Sequence, residues 1–72
     1  MIDIQIENSR ASFPSSVLGQ VDDEILQFEV IDETMLHLHL SQSVVLISVQ
    51  QYTFNGEQFD TAQEAVEYIS NL

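Results

Sequence analysis

The chain has 72 residues, 44% of them apolar, and sets twelve carboxylates against a single Arg, for a formal net charge of -11. That length makes one domain, residues 1–72, near the lower limit for folding on its own core, and the apolar fraction excludes a disordered polyelectrolyte. The lack of cations excludes direct binding to nucleic-acid phosphates or to anionic membrane, and the absence of Cys excludes disulfides and thiolate metal sites.

No apolar run approaches the roughly 20 residues of a membrane span. The start, Met-Ile-Asp-Ile-Gln-Ile, lacks the basic stretch of a secretory leader. A cytoplasmic protein is expected.

Residues 2 to 7 alternate Ile2, Ile4 and Ile6 with Asp3, Gln5 and Glu7, the pattern of a half-buried strand. Its partner strand is left open, since it suits either edge of the sheet that follows. Asn8 to Ser16 is polar and contains Pro14, which predicts a loop, with a short helical turn over Ser15 to Gln20. Gly19 and the run Asp22-Asp23-Glu24 are expected to end that segment.

A three-strand antiparallel meander follows. Leu26, Phe28 and Val30 share one side, as do Leu36, Leu38 and Leu40. A loop at Asp32-Glu33-Thr34 sets Val30 opposite Leu36, Phe28 opposite Leu38 and Leu26 opposite Leu40. A one-residue slip would turn all three leucines to the wrong face. A tight turn at Gln42-Ser43 then sets Leu40 against Val45, Leu38 against Ile47 and Leu36 against Val49.

Asn55-Gly56 is a strong type I′ hairpin signal, because both central positions need positive φ. A brief returning strand, Glu57 to Phe59, is expected after it. Thr61 to Glu64 reads as a capping box opening a helix that runs to the end, with Ala62, Ala65, Val66, Ile69 and Leu72 on its apolar stripe. The fold class expected is therefore α+β, an antiparallel sheet backed by one C-terminal helix.

The second face of the meander carries Ile25, Gln27, Glu29 and Ile31, then Met35, His37, His39 and Ser41, then Val44, Leu46, Ser48 and Gln50. It is too apolar for a solvated face and too polar for a second core. Cover by the Phe13 to Val21 segment and self-association into a homodimer both stay open.

His37-Leu38-His39 puts two imidazoles on one strand face, with Glu29 opposite His37. A His-His-Glu metal set is geometrically conceivable, but His-x-His fixes neither ligand number nor geometry, so no metal or other cofactor is expected. With two glycines and no marked nucleophile, there is no phosphate loop and no catalytic constellation. No enzyme is expected.

The acids remain. Asp22, Asp23, Glu24, Glu29, Asp32 and Glu33 are the partner-binding candidates, because carboxylates without interleaved cations can imitate phosphates. In its short single domain, its near-absence of Lys and Arg, and its acids scattered from Asp3 to Glu67, the chain resembles small acidic phage-encoded inhibitors of nucleic-acid-binding machinery, of the anti-CRISPR and anti-restriction type. Phe59-Asp60-Thr61-Ala62-Gln63-Glu64, leading into a closing helix, also looks like the end of some anti-CRISPR domains. The resemblance implies a cytoplasmic protein that occupies the basic nucleic-acid site of a host defence complex. Two other expectations stand beside it: an assembly module that oligomerises through the Met35–Leu46 face, and an acidic antitoxin-like partner of a basic toxin.

Overall fold

The computed structural model describes residues 1–72. It is an α+β domain in which a six-stranded mixed sheet packs against one C-terminal helix. In chain order the elements are β1 (Ile2–Glu7), β2 (Arg10–Ser15), β3 (Gly19–Val30), β4 (Met35–Leu40), β5 (Val44–Ser48), β6 (Tyr52–Phe54) and α1 (Ala62–Ser70). Across the sheet the order is β5-β4-β3-β2-β1-β6, antiparallel throughout except for the parallel β1–β6 pair.

The two edge strands, β5 and β6, are consecutive in the chain. A flat six-stranded sheet would hold its edges about 24 Å apart, whereas the link from Ser48 to Tyr52 reaches about 14 Å at full stretch. The sheet must therefore curl. Its concave side holds one apolar core, with Phe13, Phe54, Ile4, Leu36, Leu38, Ile47 and Val49 as the largest fully buried side chains. No polar or charged residue is buried.

The expected loop over Asn8 to Ser16 is a strand. Asn8 and Ser9 take positive φ (53° and 62°) and turn β1 into β2. Ala11 and Phe13 then point into the core opposite Asp23 and Val21. Pro14 pairs with Gln20 in β3 beyond the end of the β1 ladder, where a missing N–H does least harm. The chain from Ser15 to Gln20 forms no helical turn. Ser15 Oγ accepts from the Val17 and Leu18 amides, and Gly19 at φ +74° starts β3. This hairpin does not cover the second face of the meander. Its Phe13 and Val21 belong to the core itself.

Strand β3 runs for 12 residues. Its first half pairs with β2, and its second half with β4. Val21 faces inward opposite Phe13, and Phe28 faces inward opposite Leu38, while Val30, opposite Leu36 on the same side of the sheet, is 41% exposed. An odd and an even position can share a face only if the strand takes in an extra residue. That residue is the β-bulge between Ile25 and Gln27. The expected pairs Val30–Leu36 and Phe28–Leu38 are present, but Leu40 meets Ile25. Leu26 is 60% exposed, and Ile25, expected on the outer face, packs against the core.

Between β4 and β5 the register differs from expectation by two residues. Leu38 meets Val45 and Leu36 meets Ile47, because the Leu40 amide donates to Ser43 O and places the turn at Ser41-Gln42. A two-residue shift preserves the face, so the same leucines remain inside.

The first strand extends neither edge of the meander directly; it lies between β2 and β6. Asn55 and Gly56 adopt the expected positive φ (53° and 82°), yet the returning strand is reduced to one Phe54–Glu57 bridge. Asn55 has a second task. Its side chain accepts from the Ile6 amide (2.7 Å) and donates to Ile6 O (3.0 Å), continuing the β1–β6 ladder past the end of the strand.

Helix α1 is capped by Thr61, whose Oγ1 accepts from the Glu64 amide at 3.2 Å. The Ala62 amide donates to Glu33 O (2.7 Å), tying the helix start to the β3–β4 loop. Ala62, Ala65 and Ile69 are buried as expected, but Asn71 is the C-cap, and Leu72 falls beyond the stripe, 63% exposed.

Leu38→Ala is expected to lower stability by about 2–5 kcal/mol, whereas Leu26→Gln should change it by no more than about 0.5 kcal/mol. Asn55→Gly keeps the turn conformation but orphans both Ile6 backbone groups, at a cost of about 1–3 kcal/mol. Urea unfolding midpoints at constant m-value measure all three.

Candidate partner-docking surface

The acidic run Asp22-Asp23-Glu24 lies inside β3 rather than ahead of it, so its side chains alternate across the sheet. Asp22 and Glu24 face outward. Asp22 Oδ1 pairs with the Arg10 guanidinium at 3.2 Å, with both groups more than half exposed. Arg10 sits opposite Glu24 on one side and Glu7 on the other, so the only Arg of the chain is surrounded by acids. An exposed pair of this kind is worth at most about 1 kcal/mol.

Asp23 faces the concave side and braces the β4–β5 turn. Its Oδ1 accepts from Ser41 Oγ and from the Glu24 amide, and its Oδ2 from the Gln42 amide at 3.1 Å. The Ser41 hydroxyl, the two amides and nearby Arg10 hold its carboxyl below the ordinary Asp value. Asp3 is held down in the same way, by the Thr53 hydroxyl (2.7 Å) and the Gly56 amide (2.8 Å).

At the other end of the β3–β4 hairpin, Asp32 Oδ1 accepts from the Thr34 and Met35 amides, both at 3.0 Å, and fixes the loop. Glu33 is exposed, and only its backbone is engaged. The loop does not come near the Asp22–Glu24 run. The two groups occupy opposite ends of the hairpin, with Glu29 along the strand between them.

Glu29 belongs to a different cluster. On the convex face its Oε1 lies 3.1 Å from His39 Nε2 and 3.6 Å from His37 Nδ1. Register alone places Glu29 opposite His37, yet the shorter contact is to His39, two residues further along β4. The two imidazoles lower the Glu29 carboxyl below its usual value, His39 contributing more. Beside this cluster, Val44 and Leu46 stand opposite His39 and His37 on edge strand β5, 54% and 53% exposed.

The expectations pick out the charged positions but not their division of labour. Alternation would have separated Asp23 from its neighbours had the run been read as strand. The role of Asn55 toward Ile6 has no local sequence signal, since the partners are 49 residues apart.

The apolar groove between α1 and the bulge, about 360 Å³, is lined by Ile6, Ile25, Leu26, Phe28, Ile69 and Leu72 with polar but non-titratable neighbours. It offers no acid–base pair.

Comparison with protein-family models, with curated proteins and with solved structures finds no match to this chain.

Asp23→Asn is expected to destabilise the domain at neutral pH. A depressed carboxyl stabilises the fold above its unfolded value of 3.8, and that contribution is lost as pH falls through the lower folded value. The difference between wild type and Asp23→Asn should therefore be constant from pH 7 to about 5 and shrink below 3.8. Urea unfolding across that range reads it out.

Proposed function

We propose that this chain is a binding protein that presents its carboxylates to the basic nucleic-acid site of a partner protein and thereby inhibits it, as the resemblance to anti-CRISPR and anti-restriction inhibitors implies. One observation carries the reading: the only Arg stands against Asp22 with Glu7 and Glu24 on either side and is outnumbered by them, so even around the single cation the outward face stays net negative. A surface built only for solubility is served by mixed signs with a net charge of about 2–8 in magnitude. A surface that replaces duplex phosphates, at about one charge per 1.7 Å of axis, is not.

Among the candidate residues, Asp22, Glu24, Glu29 and Glu33 point their carboxylates to solvent without capping a backbone amide. Asp23 and Asp32 act mainly in the fold. Electrostatic docking of this kind gives fast association that weakens with salt.

The test captures partners from the native host on immobilised protein at low salt. The expected result is recovery of nucleic-acid-binding proteins that duplex DNA releases in competition and that about 1 M salt also releases, where the screening length falls to about 3 Å. The triple variant Asp22→Lys, Glu24→Lys, Glu33→Lys should fold and capture none of them. Undiminished capture by the folded variant overturns the reading.

A second reading is favoured by edge strand β5, whose Val44-Val45-Leu46-Ile47 carries no charge and leaves Val44 and Leu46 exposed. Under it the chain assembles with itself through this face, and association survives or tightens in salt. Sedimentation at low and high salt separates the two.

A further inference from the structure

We propose that Glu29, His37 and His39 form a binding site for one divalent transition-metal ion, with Zn²⁺ as the reference ion. Three ligand atoms from two paired strands converge on the convex face, all within 4.8 Å of one another. Both imidazoles approach the same carboxylate oxygen, at 3.1 and 3.6 Å. A Zn²⁺ ion bound to N and O donors at about 2.0–2.1 Å in tetrahedral geometry needs ligand atoms about 3.3 Å apart. The two measured separations bracket that value.

An ordinary Glu–His pair needs one imidazole. Here the second is brought to the same oxygen from a neighbouring position on the strand, with its ring at 86° to the first and centroids 5.9 Å apart. The ligand atoms of the two imidazoles lie within 4.8 Å of each other, and the rings have to turn for both nitrogens to reach one ion.

At the cluster β4 is paired on both sides, by β3 and β5, whereas the second half of β3, which carries Glu29, pairs with β4 alone. Glu29 is directly opposite His37 in the ladder. The cluster is half open, which leaves a fourth position for water or for a donor from another molecule. Two imidazoles select against Mg²⁺ and Ca²⁺, which take oxygen ligands, and in favour of Zn²⁺, Ni²⁺ or Cu²⁺. The surrounding charge of -11 raises the local cation concentration.

That same charge makes diffuse cation binding the competing explanation, and the experiment is built to separate them. Zn²⁺ is titrated calorimetrically into the full chain in a large excess of Mg²⁺, and the imidazole resonances are followed by NMR. The expected result is one Zn²⁺ per chain, with both His37 and His39 ring nitrogens shifted. His37→Gln, His39→Gln and Glu29→Gln should each weaken binding by about tenfold or more.

All three side chains are at least partly exposed, so these variants should fold. Loss of the Zn²⁺ signal in excess Mg²⁺ overturns the site, as does unchanged affinity in the His37→Gln, His39→Gln double variant. Wild-type ring resonances that stay fixed on Zn²⁺ addition overturn it without reference to any variant.

Discussion

Strand β3 has to satisfy two neighbours that demand opposite parity. The hairpin with β2 needs Val21 inward against Phe13, and the hairpin with β4 needs Phe28 inward against Leu38. The bulge between Ile25 and Gln27 reconciles them, and much follows from it. It sends Leu26 out of the core, brings Ile25 in, and adds local twist where the sheet must bend. It also sets the parity that puts Glu29 on the convex face with both histidines. Without the extra residue Glu29 would point into the core, where an unpaired carboxylate is prohibitive.

The curl has to be held shut at its far side, and the chain does this with short polar side chains. Parallel pairing of β1 with β6 is only three residues long. Asn55 lengthens it by bonding both backbone groups of Ile6, and Asp3 braces the same turn through Thr53 and Gly56. Helix α1 then closes over the core with Ala62 and Ala65, and Phe59 packs between Phe54 and Tyr68 with its ring tilted to both. In a domain of this size each such bond matters, because net stability is only about 5–15 kcal/mol.

Local pattern made the β3–β4 hairpin legible near its loop, where Val30 and Phe28 meet the expected leucines. It failed where two local choices were equivalent. Ser41-Gln42 and Gln42-Ser43 are both acceptable two-residue turns, and they differ by a shift that keeps every leucine inside. β2 was hidden because Arg-Ala-Ser-Phe-Pro-Ser has the composition of a loop, and only the alternation of Ala11 with Phe13 betrays it. Asn8-Ser9 lacks the glycine that usually marks a turn with positive φ. The β1–β6 pairing joins residues about 50 positions apart and leaves no local trace. For the Glu29, His37 and His39 cluster, register told that Glu29 and His37 are neighbours. It could not tell that both imidazoles turn to one oxygen, since that depends on rotamers.

The carboxylates divide by length. Four of the five aspartates, Asp3, Asp22, Asp23 and Asp32, are engaged within the chain, three of them through backbone amides, and of the seven glutamates only Glu29 has a side-chain partner. The physical reason is reach. An Asp oxygen stays close to the backbone surface, so it accepts from amides of its own turn, as Asp32 does, or of a turn the sheet lays beside it, as Asp3 does from Gly56 and Asp23 from Gln42, whereas a Glu carboxylate on an exposed strand or helix extends past it into solvent. Mutual repulsion therefore falls mainly on long, mobile side chains that can spread apart, while the short ones offset their charge with N–H and O–H dipoles. A chain at -11 can fold on those terms. The glutamates that the fold leaves unused, from Glu7 and Glu24 on the sheet to Glu64 and Glu67 on the helix, are then the charges best placed to meet cations brought by another molecule.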